Sequence, residues 1–170
     1  DAVVEAGAKF VVSPGQSDLL FERSLLTNIP LLPGAVTATE IMAAREAGFT
    51  TLKFFPASTS GGAPAIKAFS GPFSDLCFVP TGGINLTNAH SYLALPNVRA
   101  VGGSWLTPAD AIHNEQWDEI AQLARNASRL CNARPQGIAR PRAFYVPLCP
   151  SSIRHRHDCL HSVVGWPRCF

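Results

Sequence analysis

Five short apolar segments recur between residues 1 and 130, at intervals of 21 to 25 residues. Their centres are Phe10, Leu31, Lys53, Phe78 and Val101. The segments are rich in Val, Ile, Leu and Phe without polar alternation, a pattern typical of strands buried on both faces. Each is followed by small or turn-forming residues: Ser13-Pro14-Gly15, Pro33-Gly34, Pro56-Ala57, Thr81-Gly82-Gly83 and Gly102-Gly103-Ser104. The pattern predicts five parallel strands.

Helix signals occupy the intervals between these segments. Ser17 is suited to cap a helix through about Leu26, and Thr37 and Glu40 form a capping box in a helix that Gly48 would end. Further helices are predicted from Pro64 and Pro108 as first helical positions, from Asn85 as a cap for a helix through Leu93, and from the amphipathic pattern of residues 116–130. Strand and helix alternate in units too short for most doubly wound folds, which favours a parallel barrel.

The number of strands limits this architecture. A (β/α)8 barrel needs eight strands, and five are visible, so about three βα units are expected before Asp1. Residues 1–7 have the pattern of the second half of a helix. We therefore expect residues 1–130 to form the last five βα units of an incomplete (β/α)8 (TIM) barrel. On this interpretation the chain is a fragment that is inactive by itself.

Composition narrows the functional classes. With 46% hydrophobic and 15% charged residues, the chain is globular, and its apolar runs fall short of the roughly 20 residues that cross a bilayer. Residues 1–130 carry 8 basic and 11 acidic residues, a net charge of −3, which argues against nucleic-acid binding. Cys77 is the one cysteine in this part, as expected for a reduced, cytoplasmic protein.

Residues 131–170 differ sharply from the preceding part. They contain six Arg, five Pro and four Cys but one acidic residue, and no helix or strand period persists. Several potential metal ligands are present: Cys149, His155, His157, Cys159 and His161. Their spacing matches no usual zinc pattern, so no metal site is expected. We interpret this segment as an irregular tail, either non-native or disordered.

Lys53 stands in the middle of the third apolar segment. Side chains alternate across a strand, so Leu52 and Phe54 share one face and Lys53 and Phe55 share the other. The apolar pair suits the helix ring of a barrel, which leaves Lys53 pointing inward. Burial disfavours the ammonium form and leaves an amine able to attack a ketone. The alternative is an edge-strand lysine that reaches water past an apolar neighbour.

The surrounding sequence adds a specific resemblance. The segment Gly48-x-x-x-Leu52-Lys53-Phe54-Phe55-Pro56-Ala57-x-x-x-Gly61 resembles the lysine signature of the 2-keto-3-deoxy-6-phosphogluconate (KDPG) / 4-hydroxy-2-oxoglutarate (KHG) aldolase family. The resemblance extends to Val12-Ser13-Pro14-Gly15, Ile29-Pro30-Leu31-Leu32-Pro33-Gly34, Gly71-Pro72-Phe73-Ser74, Pro80-Thr81-Gly82-Gly83-Ile84 and Gly102-Gly103-Ser104-Trp105-Leu106. It covers residues 1–130 and no part of residues 131–170.

The resemblance implies a class I aldolase that needs no metal or cofactor. Lys53 would form an imine with the C2 ketone of a phosphorylated keto acid, releasing pyruvate and glyceraldehyde 3-phosphate in a pathway of the Entner–Doudoroff kind. The implied fold is a (β/α)8 barrel, assembled as a homotrimer. The family's acid/base glutamate, its carboxylate-binding arginine and a Gly-Ala-Gly-Thr segment lie on earlier strands and have no counterpart here. Ser58 also stands where relatives often carry Glu.

The last two predicted strands end in glycine pairs suited to an anion. Backbone N–H groups at such turns favour negative charge, and barrel enzymes often bind phosphate at these loops. The candidate cradle is Thr81, Gly82, Gly83, Gly102, Gly103 and Ser104, and the resemblance implies phosphate binding at the same segments. The alternative is that the glycines only form tight turns. Pro14 and Phe55 would line the pocket beside the pyruvyl group, unless they are plain packing residues.

Two rival functions stay open. Another phosphate-binding barrel enzyme would share the Gly-Gly-Ile turn but would have no reason to bury Lys53 ahead of Phe-Phe-Pro. A non-catalytic fragment could keep the assembly surface of the fold without its chemistry, and the missing glutamate is consistent with that. We read His90 and His113 as surface residues.

Overall fold

Short strands and helices alternate along the computed structural model, which describes residues 2–27 and 29–132. The strands are β1 (Val11–Val12), β2 (Leu31–Leu32), β3 (Thr51–Phe54) and β4 (Cys77–Pro80). The helices are α1 (Ala2–Glu5), α2 (Asp18–Leu26), α3 (Ala38–Glu46), α4 (Gly62–Phe69), α5 (Ala89–Leu93), α6 (Ala109–His113) and α7 (Trp117–Asn132), with a 3-10 helix at Ser104–Leu106. The predicted α/β alternation is confirmed over this range.

The strands pair in chain order, and every pairing is parallel. Val11 lies opposite Leu31 in the β1–β2 pair, and β3 pairs with β4 along its whole length. A bridge between Gly34 and Lys53 joins the two pairs. In this bridge the Lys53 N–H donates to the Pro33 carbonyl at 2.8 Å, and the Lys53 carbonyl accepts from the Ala35 N–H at 2.9 Å. Parallel neighbours in chain order are the arrangement that a wound α/β barrel requires.

The fifth predicted strand, near Val101, is present as two bridges rather than a continuous strand. Phe78 pairs with Val98 and Thr81 pairs with Gly102, so the two residues between these bridges on the β4 side are opposite three on the second segment. Pro80 lies between these bridges and has no N–H to continue the ladder. The Gly102 N–H instead donates to the Pro80 carbonyl at 3.0 Å. A proline in the neighbouring strand therefore turns the predicted strand into a bulged edge.

The helix caps with local signals are confirmed. The Ser17 hydroxyl accepts the Leu20 N–H at the start of α2. Thr37 and Glu40 form the predicted capping box of α3, and Gly48 follows the end of that helix at φ +92°. The final amphipathic segment forms α7 as expected.

Three predicted helix starts are displaced. Pro64 is the third residue of α4, which is tolerated because first-turn N–H groups have no intrahelical acceptor. Pro108 lies just before α6 rather than inside it. The Asn85 side chain accepts the N–H groups of Thr87 and Asn88 at 2.9 and 3.2 Å, so it closes a turn, and α5 begins only at Ala89.

An aromatic core packs behind β3 and β4. Leu52 and Phe54 are fully buried there, together with Phe78. The Phe54 and Phe78 rings meet edge to face at a centroid distance of 6.2 Å. The predicted alternation along β3 is confirmed, since Lys53 and Phe55 lie on the opposite face and remain partly or largely accessible.

Two expectations concern the rest of the chain. None of the helices within the described residues has the length and apolar character needed to span a membrane. The tail interpretation of residues 131–170, including its Cys and His residues, falls almost wholly outside the described residues and stays a prediction.

The close approach of β1 and β2 at their carboxyl ends gives a stability test. A Cβ added at Gly34 would overlap the Pro14 carbonyl oxygen, whereas a Cβ added at Gly15 would meet nothing within 4 Å. Gly34→Ala should therefore destabilise the protein by about 1–3 kcal/mol, the usual cost of overpacking against a part that cannot yield. Chemical denaturation would measure this, with Gly15→Ala as control. Equal stability of the two variants would show that the strands separate freely.

Candidate active site

All five predicted turn segments lie at one edge of the strand array. Parallel strands bring their carboxyl ends to the same side, and in open or closed α/β folds this side carries the functional loops. Loop contacts reinforce the pairing: the Ala57 N–H donates to the Thr81 carbonyl at 2.8 Å, and the Ser58 N–H donates to that of Gly82 at 3.1 Å. The segment after β3 and the turn after β4 thus form one unit.

Lys53 occupies the centre of this edge. It lies opposite Val79 on β4 and bridges to Gly34 on the other side, so its backbone is held from both neighbours. Its side chain is half-buried, and desolvation by this burial lowers the pKa of the amine below its usual value. The Nζ atom lies 4.5 Å from the centroid of the Phe55 ring. The arrangement favours a reactive amine held against an aromatic face.

The charged surroundings of Lys53 are sparse. Within residues 2–27 and 29–132, the one ion pair joins Arg45 to Asp75 at 2.8 Å, on the surface. Burial is the cause of the lowered Lys53 pKa, and no described carboxylate contributes to it.

Amide groups suited to an anion lie in the turn after β4 and in the turn after the fifth segment. In the part of the chain that the structure describes, the N–H groups of Gly82, Gly83 and Gly103 donate to no acceptor. Gly82 and Gly83 adopt φ values of +94° and +71°, which favour glycine. The Thr81 hydroxyl oxygen is buried and also lacks a partner among the described residues. These free donors are consistent with the predicted anion cradle.

The second glycine pair is held by close packing. A Cβ at Gly102 would lie 2.6 Å from the Thr81 methyl carbon, and one at Gly103 would overlap the Trp105 ring. Ser104 follows, exposed, as the first residue of the 3-10 helix. The pairing of Thr81 with Gly102 brings the two predicted turns side by side.

Pro14 lies on the far side of β2 from Lys53. It is exposed at the end of β1, and its carbonyl faces Gly34, the bridge partner of Lys53. One strand therefore separates Pro14 from the lysine. The structure brings Lys53, Phe55 and the turn after β4 together directly, and it connects Pro14 to them only through Gly34.

Sequence reasoning missed the contacts that three residues make at this edge. Gly34 admits the Pro14 carbonyl, and Ser58 occupies the space that a side chain at Gly83 would need. The Gln16 amide donates to the Glu40 carbonyl at 2.6 Å and ties the loop after β1 to α3. No local signal could have revealed these contacts, because each partner is about 20 or more residues away in the chain.

Known proteins share this sequence and fold. The sequence model of the KDPG and KHG aldolases matches residues 1–123. The chain belongs to this aldolase family. It is 48% identical over 126 residues to a 2-dehydro-3-deoxy-phosphogluconate aldolase of Pseudomonas aeruginosa, an alignment covering 74% of this chain and 57% of that protein. The chain thus spans little more than half the length of this relative.

Solved structures of the family are also similar. The KDPG aldolase of Legionella pneumophila, described with pyruvate captured as a covalent carbinolamine, matches with a TM-score of 0.70 and 44% identity, covering 78% of this chain and 62% of that one. The Zymomonas mobilis enzyme with 3-phosphoglycerate matches with a TM-score of 0.68 and 36% identity, covering 79% and 61%. These matches confirm the predicted α/β fold of the barrel type.

The environment of Lys53 predicts its reactivity. Burial lowers its pKa, so the uncharged amine should be populated at a lower pH than for an ordinary lysine of pKa about 10.4. Competitive labelling of the full-length protein with trace acetic anhydride, followed by peptide mapping across pH, measures this. A titration of Lys53 at or above the ordinary value would contradict the buried placement.

Proposed function

We propose that the full-length protein is a class I aldolase that cleaves 2-dehydro-3-deoxy-6-phosphogluconate to pyruvate and glyceraldehyde 3-phosphate, with Lys53 as the imine-forming residue. The observation that carries the proposal is the half-buried Lys53 amine, whose pKa is lowered by burial, beside free amide donors in a chain of the KDPG and KHG aldolase family. The Legionella relative, described with a pyruvate carbinolamine, supports the same chemistry.

The lysine would act through its lone pair. The Nζ atom attacks the C2 carbonyl carbon, the carbonyl electrons move to oxygen, and protonation gives a carbinolamine. Loss of water leaves an iminium. The C4 hydroxyl then loses its proton, the C3–C4 electrons move toward the iminium nitrogen, and the aldehyde leaves. Protonation at C3 and hydrolysis of the imine release pyruvate.

Proton transfer needs a group that the described residues do not place near Lys53. We propose that it is supplied by the glutamate that the family resemblance places on an earlier strand. The five segments described here would then be the last five βα units of a (β/α)8 barrel. This assignment agrees with the partial coverage of the relatives. For the full-length protein we also propose the homotrimeric assembly that the resemblance implies and the cytoplasmic location expected from the single cysteine within residues 1–130.

We assign the phosphate end of the substrate to the turns after β4 and after the bulged fifth segment. The Thr81–Gly102 bridge brings the two turns side by side, and they carry the free amides, the Thr81 hydroxyl and Ser104. The Zymomonas relative, described with 3-phosphoglycerate, supports a phosphorylated ligand. The family description also favours 4-hydroxy-2-oxoglutarate as a second substrate, which lacks a phosphate.

Imine trapping tests the nucleophile. Incubation of the full-length protein with pyruvate and borohydride should leave a stable adduct on the peptide that contains Lys53, because reduction fixes the imine. Lys53→Met should abolish both the adduct and turnover, whereas Lys67→Met, at an exposed lysine on α4, should leave both unchanged. Peptide mass spectrometry reads the result. An adduct on Lys9 or Lys67, or none, would refute the assignment.

Substrate comparison tests the phosphate end. Ser104→Ala should raise KM for the phosphorylated substrate by about tenfold, since a hydrogen bond to a charged group is worth roughly 1.5–3 kcal/mol. KM for 4-hydroxy-2-oxoglutarate should hardly change. Ser74→Ala is the matched control, because Ser74 is an exposed serine before β4, at the opposite end of the strands. Equal effects of Ser104→Ala on both substrates would remove Ser104 from the phosphate site.

A further inference from the structure

The Phe55 ring lies outside the aromatic core. It is 37% exposed, while its neighbour Phe54 is fully buried in the aromatic core. Packing in that core therefore does not account for where Phe55 lies. The ring instead lies between two neighbours. The Lys53 Nζ atom is 4.5 Å from the ring centroid, and the backbone at Gly82 lies beside the ring.

Because Gly82 has no side chain, the Phe55 ring can occupy the space beside it. A Cβ added there would lie 3.1 Å from Cδ2 and 3.2 Å from Cε2 of Phe55, and 3.2 Å from the Cα atom of Pro56, all closer than ordinary van der Waals contact. The turn after β4 is itself held to the chain after Phe55 by the Ser58–Gly82 hydrogen bond. A side chain at position 82 would therefore press on the ring and on the Pro56 backbone, and one of them would have to shift by a few tenths of an ångström.

We propose that Phe55 is a positioning residue for the Lys53 amine and that position 82 is glycine so that the ring can lie there. This inference rests on the proposed aldolase function. It gives Gly82 a role beyond anion binding, because the ring–amine contact is needed for every substrate, with or without phosphate.

The chemistry benefits twice from an aromatic face at this nitrogen. The ring attracts the ammonium form of Lys53 and holds it in place. After the amine attacks the ketone and water leaves, the positive charge returns to the same nitrogen as an iminium, and the same face stabilises it. The flanking backbone of β2 and β4 offers Pro33, Gly34 and Val79, none of which titrates, and Lys53 forms no ion pair within the described residues. Within the described residues, the Phe55 ring therefore provides a recorded contact that favours the cation, where no ion pair does.

Pyruvate provides the test, because it forms the imine but carries no phosphate. The rate of imine trapping by the full-length protein is measured against pH for wild type, Phe55→Leu and Phe55→Tyr. Leucine keeps apolar bulk but removes the π face, so the ammonium loses stabilisation. The pH midpoint should therefore fall by about half a unit. The amount of imine trapped above that midpoint should decrease severalfold, because the iminium loses the same stabilisation. Tyrosine keeps the face and should restore both.

A matched glycine pair separates ring displacement from backbone strain. Gly82→Ala and Gly48→Ala both place alanine at positive φ, +94° and +92°, but only the first meets neighbouring atoms, those of the Phe55 ring and the Cα atom of Pro56 that follows it. Gly82→Ala should slow imine formation with pyruvate severalfold, and Gly48→Ala should leave it at the wild-type rate.

The outcomes distinguish this inference from the proposed function. If wild type forms no pyruvate imine at Lys53, both are overturned. If wild type forms the imine but Phe55→Leu titrates like wild type, or Phe55→Tyr behaves like Phe55→Leu, the positioning role is overturned alone. Loss confined to phosphorylated substrates in Gly82→Ala would show that Gly82 serves the anion only.

Discussion

The register of β3 between its two neighbours governs the rest of this structure. Backbone hydrogen bonds use both edges of the strand, so it can neither rotate nor slip without breaking them. A slip of one residue would exchange the two faces and place Lys53 among Phe69, Phe73 and Phe78. An unpaired ammonium in such surroundings costs several kcal/mol. The same pairing that buries Leu52 and Phe54 on one face therefore places the Lys53 amine on the opposite, accessible face.

Three glycines, which have no side chains, determine how closely the segments around that amine can pack. Gly34 admits the Pro14 carbonyl, Gly83 admits Ser58, and Gly82 admits the Phe55 ring. Each of these contacts draws a turn closer to its neighbour than a residue with a Cβ would allow. Lys53 and the free amides of the turns consequently belong to one closely packed unit, which is the condition for holding reacting groups in a fixed geometry.

Two opposing effects act on the Lys53 nitrogen. Burial lowers its pKa, and the nearby aromatic face favours its charged form. A nucleophile that must pass from amine to iminium uses both, since it has to lose its proton first and carry charge afterwards. The absence of a described carboxylate partner keeps the amine from being held permanently as an ammonium.

The sequence by itself determined the features whose signals are local. The alternation around Lys53, the capping box of Thr37 and Glu40, and the order of strands and helices follow from residues within a few positions of one another. Tertiary structure decided the rest. Pro80 belongs to the neighbouring strand β4, and it interrupts the predicted strand near Val101. The Phe55 ring lies against Gly82, which is 27 positions away in the sequence. Such contacts depend on strand register and backbone approach, and these arise only when distant segments pack, so no local pattern encodes them.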